Sequence, residues 1–296
     1  MDLLWSLESI RTPFWNTFFG LITRLGEETI LIVVFCVIFW SISKRTGYVI
    51  GISFFLSALL VQGMKAVFRV PRPWIYDPSF SPVDGSVTEA TGYAFPSGHT
   101  QNAAAWLGAL GSQIKQNIVK FTLFFLAILV AFSRLYLGVH YLSDVVVSLL
   151  ISFAVIFLAC KILPEEFAGR KKELVLPLII LSSAAIVVMI IIYLYHNEIT
   201  EASQLRDAAI AAGAAFGFAV GMYIERVYIQ FSVKARSTLF QIIKVVIGIV
   251  GVLVFQEGFR VLGSGLIGDG ARYFLIVIWI MVIYPLVIRK FFSVQG

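Results

Sequence analysis

Three short segments hold residue types that can act together on one kind of substrate. The first, KAVFRVPRP, runs from Lys65 to Pro73 and contributes Lys65 and Arg72. The second, PSGH, is Pro96 to His99. The third, SRLYLGVHYLSD, runs from Ser133 to Asp144 and carries Arg134, His140 and Asp144. Lys65, Arg72 and Arg134 are cations, two of them guanidinium forks that match phosphate oxygens. Ser97 and Gly98 open a helix, where free backbone N–H groups and the helix dipole favour an anion and glycine permits close approach. His140 and Asp144 are four apart on a helix, so the carboxylate can hold one ring nitrogen and leave the other as a nucleophile. His99 is then free to protonate a leaving oxygen. These groups converge on a phosphoryl group. Arg69, a turn from Lys65, is a further candidate, to bind phosphate or to meet headgroups.

The elements that position these residues are those of a membrane protein. Of 296 residues, 59% are hydrophobic and 14% charged, and the mean hydropathy is +0.91. A soluble domain of this length could not hide that much apolar surface. Hydrophobic runs place nine spans at 28–43, 47–68, 97–114, 118–137, 140–160, 173–195, 205–227, 237–256 and 272–290. Residues 1–27 read as an amphipathic interfacial segment, with Leu3, Leu4, Leu7, Phe14, Trp15, Phe18 and Ile22 at helical spacing. The fold class is therefore all-α, a polytopic transmembrane helical bundle. Residues 28–165 form a core with the chemistry, and residues 166–296 an additional four-span region.

Lys and Arg assign the orientation. Lys44/Arg45, Lys115/Lys120, Lys161/Arg170/Lys171/Lys172, Arg226/Lys234/Arg236 and Arg289/Lys290 fall on one side, expected to be cytoplasmic. The three segments fall on the other, acid-rich side, with the N-terminus outside. The net charge of +6 is thus accounted for by topology rather than by nucleic-acid binding. Val70 to Phe95, with four prolines, is a loop too polar to cross.

These residues fill every position of three signature motifs, Lys-x6-Arg-Pro, Pro-Ser-Gly-His and Ser-Arg-x5-His-x3-Asp. Over residues 8–160 the chain resembles the type 2 phosphatidic acid phosphatase superfamily, in its membrane lipid-phosphatase branch. The resemblance implies a metal-independent phosphotransfer without cofactor: His140 attacks phosphorus, His99 acts as acid, and water later cleaves the phosphoenzyme. The implied substrates are membrane lipid phosphates or pyrophosphates: phosphatidate, phosphatidylglycerol phosphate or isoprenoid pyrophosphates such as the undecaprenyl carrier. An outward-facing site in a bacterial cytoplasmic membrane would favour the carrier. A phosphotransferase with the same intermediate is the nearest alternative, and a lipid transporter or scramblase a more distant one.

Other features have plainer readings. Cys36 and Cys160 lie in apolar runs as packing residues, and no Cys/His spacing suggests a metal. The acidic start MDLLWSLESIR lacks the basic n-region of a cleavable signal peptide. His196 reads as a solvated helix-end residue. Gly213, Gly217 and Gly221 form a small-residue face for tight helix packing, with a homodimer contact as the alternative. Lys244 is expected to snorkel toward the inner surface. Gly263, Gly265 and Gly268 spell GxGxxG, but with no strand before it the match is accidental, and GSGLIGDG reads as a flexible outer loop.

Overall fold

The computed structural model describes residues 1–88, 90–164, 168–258 and 265–292, and it is all-helical. Two short helices come first, α1 (Asp2–Ser9) and α2 (Pro13–Thr23). Thr12 caps α2 by accepting from the Trp15 N–H at 3.3 Å, and Pro13 fits the first turn, where no N–H is needed. Then follow α3 (Glu28–Ser41), α4 (Lys44–Phe68), α5 (residues 98–113), α6 (Asn117–Tyr136) and α7 (Leu142–Ile162). The remainder comprises α8 (Val175–His196), α9 (Ala202–Ile229), α10 (Thr238–Gly258) and α11 (Leu266–Phe292).

Helices occur at all nine expected spans, but among the described residues only seven are long and apolar enough to cross a bilayer. At 14 residues, α3 rises about 21 Å, short of the roughly 30 Å hydrocarbon core. The π turn Ala104–Gly108 interrupts α5, whose stretch from Thr100 to Ala109 is buried. Both are apolar helices shorter than the other seven.

The shared element is α4. It packs on α3, α5 and α7 on one side and on α8 and α9 on the other. The glycine face of α9 is used within the chain, against α11. A Cβ on Gly213 would stand 2.1 Å from the Gly270 carbonyl oxygen, and one on Gly221 2.4 Å from Met281 Cβ. The residues that suggested a dimer contact are therefore spent on internal packing. On the first half, α1 and α2 lie along α6: Leu7 packs with Ala131, Leu135 and Val145, and Phe19 with Tyr136, Leu137 and Val139.

Basic residues gather at one end of the bundle. Lys44 bonds Glu225 and the Phe231 carbonyl, Arg226 bonds Glu173, and Arg289 reaches the Tyr228 and Ile229 carbonyls. Lys244 corrects its expectation. It is fully buried, and its ammonium ends on the Val233 carbonyl at 2.7 Å and Gln241 Oε1 at 3.0 Å instead of in solvent. The GSGLIGDG reading also changes, because Leu266 begins a helix; Gly263 lies outside the described residues.

Candidate active site

At the other end of the bundle the three segments meet. Lys65 stands on the last turn of α4, which ends at Arg69 in the left-handed conformation (φ 49°). Arg72 follows just before the single turn Pro73–Tyr76. Arg134 lies in the last turn of α6, and His140 in the short connection to α7, which carries Asp144. Lys65, Arg72, Gly98, His99, Arg134 and His140 all line one cavity of about 500 Å³.

His140 is almost fully buried and held from both sides. Its Nδ1 lies 3.2 Å from Asp144 Oδ2 and its Nε2 2.9 Å from an Arg72 terminal nitrogen. A guanidinium can only donate, so Nε2 is the acceptor and the ring proton sits on Nδ1, facing the carboxylate. Asp144 is itself held by the Tyr141 N–H at 2.8 Å and by Ser143 Oγ at 3.2 Å. Burial first, then the Arg72 and Arg134 cations, push the His140 imidazolium well below the usual histidine range. The ring is neutral at neutral pH, with a lone pair on Nε2.

The cations are held by backbone and by neighbouring helices. Arg72 also donates to the carbonyls of Val139 (2.9 Å), Gly92 (3.1 Å) and Thr91 (2.5 Å). Arg134 donates to Thr23 Oγ1 at 2.7 Å, which makes α2 part of the support. Gly98 faces Lys65: a Cβ there would meet its Nζ at 3.9 Å, an ordinary contact. His99 Nε2 is buried with no hydrogen-bond partner.

Two expected site residues are placed differently. Ser97 caps α5, its hydroxyl accepting from the Thr100 N–H and hydroxyl, and its own N–H donates to the Asp144 carbonyl at 3.2 Å. It supports the Gly98 turn from a fully buried position, outside the cavity lining. Arg69 is exposed and does not line the cavity, because α4 ends there and the chain turns away. His196 is exposed at the end of α8.

Sequence reasoning missed Glu28, Thr91, Asn102, Arg206, Asp207 and Tyr273, all of which line the cavity. Asp207 Oδ2 accepts from Thr91 Oγ1 at 2.7 Å. Asp207 and Arg206 sit at the start of α9, and an acid–base pair at a helix end is an ordinary surface pattern without its tertiary neighbours.

Residues 46–168 match the family model described as PAP2 superfamily, and residues 209–295 match the one described as PAP2 superfamily phosphatase, transmembrane extension. The chain belongs to the PAP2 superfamily. Lipid A 4'-phosphatase of Porphyromonas gingivalis is 27% identical over 154 residues, which are 49% of this PAP2 chain and 64% of that protein. Phosphatidylglycerophosphatase B of Bacillus subtilis is 29% identical over 152 residues, 46% of this chain and 69% of that one. The chain thus spans less than two thirds of the first relative's length. Among solved structures, Aquifex aeolicus LpxE aligns with a TM-score of 0.49 at 26% identity, over 54% of this chain and 93% of that chain. A transmembrane PAP2-type phosphatidylglycerolphosphate phosphatase from Bacillus subtilis aligns at 0.47 and 25%, over 54% and 82%. In this PAP2 protein, α4 to α7 and their connections carry the motifs, and α9 to α11 coincide with the transmembrane extension.

Proposed function

We propose that this PAP2 protein hydrolyses a lipid phosphate or pyrophosphate through a covalent phosphohistidine at His140, without a metal ion. The observation that carries the reading is the tautomer of His140, held by Asp144 with Nε2 turned to a cavity that Lys65, Arg72, Arg134 and His99 also line. An arriving phosphoryl group takes over the Arg72 guanidinium and exposes the Nε2 lone pair to phosphorus. The N–P bond forms as the bond from phosphorus to the lipid oxygen breaks, and His99 gives that oxygen its proton. Burial, then Arg134, Lys65 and Arg72, disfavour the His99 imidazolium, and the bound phosphate's negative charge offsets them. Water then attacks phosphorus, His99 takes the water's proton, and the N–P bond breaks to release phosphate. The three cations offset the charge of the trigonal-bipyramidal state, which is the role a metal plays elsewhere.

The relatives named lipid A 4'-phosphatase and phosphatidylglycerophosphatase support a lipid phosphomonoester as substrate. The direct test is phosphate release from a panel of lipid phosphates with EDTA present, with orthovanadate as competitor. Activity that EDTA abolishes and magnesium restores would overturn the metal-free reading. Loop charge supports a site facing out of a bacterial cytoplasmic membrane. A cysteine at Ser79 is then expected to react with an impermeant maleimide in spheroplasts, and one at Ala168 only after lysis; the reverse pattern would move the site to the cytoplasm.

A further inference from the structure

Phosphotransfer uses only one half of the cavity. Below the cations it continues between α3 and α4 on one side and α9 and α11 on the other. Along α4 the lining residues pass from Lys65 and Gln62 to Ala58, Phe55 and Ile50, about 20 Å of helix. Along α9 they pass from Arg206 and Asp207 to Ile210, Ala211 and Ala214, and along α11 from Tyr273 to Ile276, Val277 and Ile280. All three helices change from polar to apolar in the same direction. Behind the lining residues Phe35, Gly51 and Phe55 at the apolar end stands Phe218, whose ring packs on both phenylalanines and would be met by a Cβ on Gly51.

A void of about 500 Å³ is of the size that encloses a sizeable ligand. Closely packed interiors contain few voids of this size, so the chemistry of its lining is informative. Its occupant has to be anionic at one end and hydrocarbon at the other. We propose that the apolar half binds a hydrocarbon chain of the lipid whose phosphate meets Lys65, Arg72 and His140, so that the extension forms one wall of the substrate site. The headgroup assignment rests on the phosphatase reading above. A chain entering from the bilayer leaves surroundings as apolar as the channel, so burial adds little affinity. What the channel contributes is selection by shape, because a chain that reaches Phe35, Gly51 and Phe55 meets residues backed by Phe218.

The test photolabels the full-length protein in nanodiscs with alkyl phosphonates of graded length carrying a terminal diazirine, with orthovanadate as competitor. Vanadate-sensitive labelling is expected on α9 and α11, reaching Phe218 with the longer probes. Ala214→Trp is expected to lower the ratio of long-probe to short-probe labelling at least tenfold. Val250→Trp, on an exposed face of α10, keeps the wild-type ratio. Phe218→Ala removes the floor and is expected to raise the longest chain accepted; it carries the test if Ala214→Trp does not fold. Vanadate-sensitive label confined to outward residues such as Phe121 or Val250, or an unchanged ratio in Ala214→Trp, would overturn the proposal, as would an unchanged upper limit in Phe218→Ala. Phosphate release by the wild type is scored separately. Channel labelling without release would remove the hydrolase reading and leave the chain site standing.

Discussion

The PAP2 domain and its extension bury ionisable groups in opposite ways. From Glu173 onward, buried acids find partners one by one. Glu173 meets Arg226, Glu225 meets Lys44 and the Tyr48 hydroxyl, and Asp269 meets Arg206 at 2.7 Å and Arg272 at 2.8 Å. In the PAP2 domain, Lys65, Arg72 and Arg134 instead converge on one cavity with two histidines, and the acid beside them, Asp144, is engaged by His140 and the Tyr141 N–H. Pairing offsets the desolvation of a buried charge, whereas gathering like charges adds to it. Cations gathered on one cavity are what an anion site requires, which is the contrast behind the proposed function.

The sharpest way to break this contrast is to exchange one residue in each half. His140→Ala is expected to lower kcat by about 10³-fold or more, the scale on which loss of a covalent nucleophile acts, and to abolish labelling by a phosphorus-labelled substrate. Its thermal midpoint in detergent should stay close to wild type. Gly221→Leu pushes new atoms into Met281 and is expected to destabilise by about 1–3 kcal/mol. Below its melting range kcat should be retained, because Gly221 lies off the cavity lining. A phosphoenzyme in His140→Ala, or a dead but folded Gly221→Leu, would dissolve the division of labour.

The two halves also differ in what their sequences disclose. Lys65, Arg72, His99, Arg134, His140 and Asp144 were legible because each needs a specific residue type at a fixed offset from a helix end. The positions of all nine apolar helices were legible from hydropathy, since a charge-free run has few other uses. Length was not: α3 stops at Ser41, and nothing local announces a passage shorter than a bilayer. The capping role of Ser97 was not legible, because a helix-capping serine and a phosphate-binding serine have the same sequence signature. The contribution of Asp207 and Tyr273 to the cavity depends on α9 and α11 packing against α3 and α4, which no single segment encodes. Lys244 looked like a snorkelling lysine because its acceptor, the Val233 carbonyl, is backbone and has no side-chain signature.

Acidity should separate the halves again, with a smaller effect. His140 has its pKa held well below the ordinary 6.5 by burial first and then by Arg72 and Arg134. The ring is therefore already neutral at pH 6.5, and, with His140 as the proposed nucleophile, the acid limb of kcat/KM is expected below that value. The native state binds fewer protons than the unfolded chain between the lowered value and 6.5. This stabilising contribution is fully present above 6.5 and is lost as pH falls through that window. An Arg72→Leu variant removes one cause, so the His140 ring should titrate at higher pH, readable by NMR of labelled histidine. A ring that titrates at 6.5 or above in the wild type would refute the account.

The smallest expected effect lies where the halves touch. Asp207, on α9, accepts from Thr91 Oγ1 at 2.7 Å, and the Thr91 carbonyl accepts from Arg72 at 2.5 Å. The extension thus reaches the His140 partner through a single loop residue. One such hydrogen bond contributes about 0.5–1.5 kcal/mol net, so Asp207→Ala is expected to raise KM for a short-chain lipid phosphate roughly two- to tenfold. Two effects oppose each other in that number, because the carboxylate also repels the incoming phosphate. Asp207→Asn separates them: it keeps an acceptor for Thr91 and removes the charge. If the hydrogen bond is what matters, Asn returns KM to the wild-type value or below it, while Ala does not. If Asn and Ala raise KM equally, the bond to Thr91 does not position Arg72, and the extension acts on the site through the cavity wall alone.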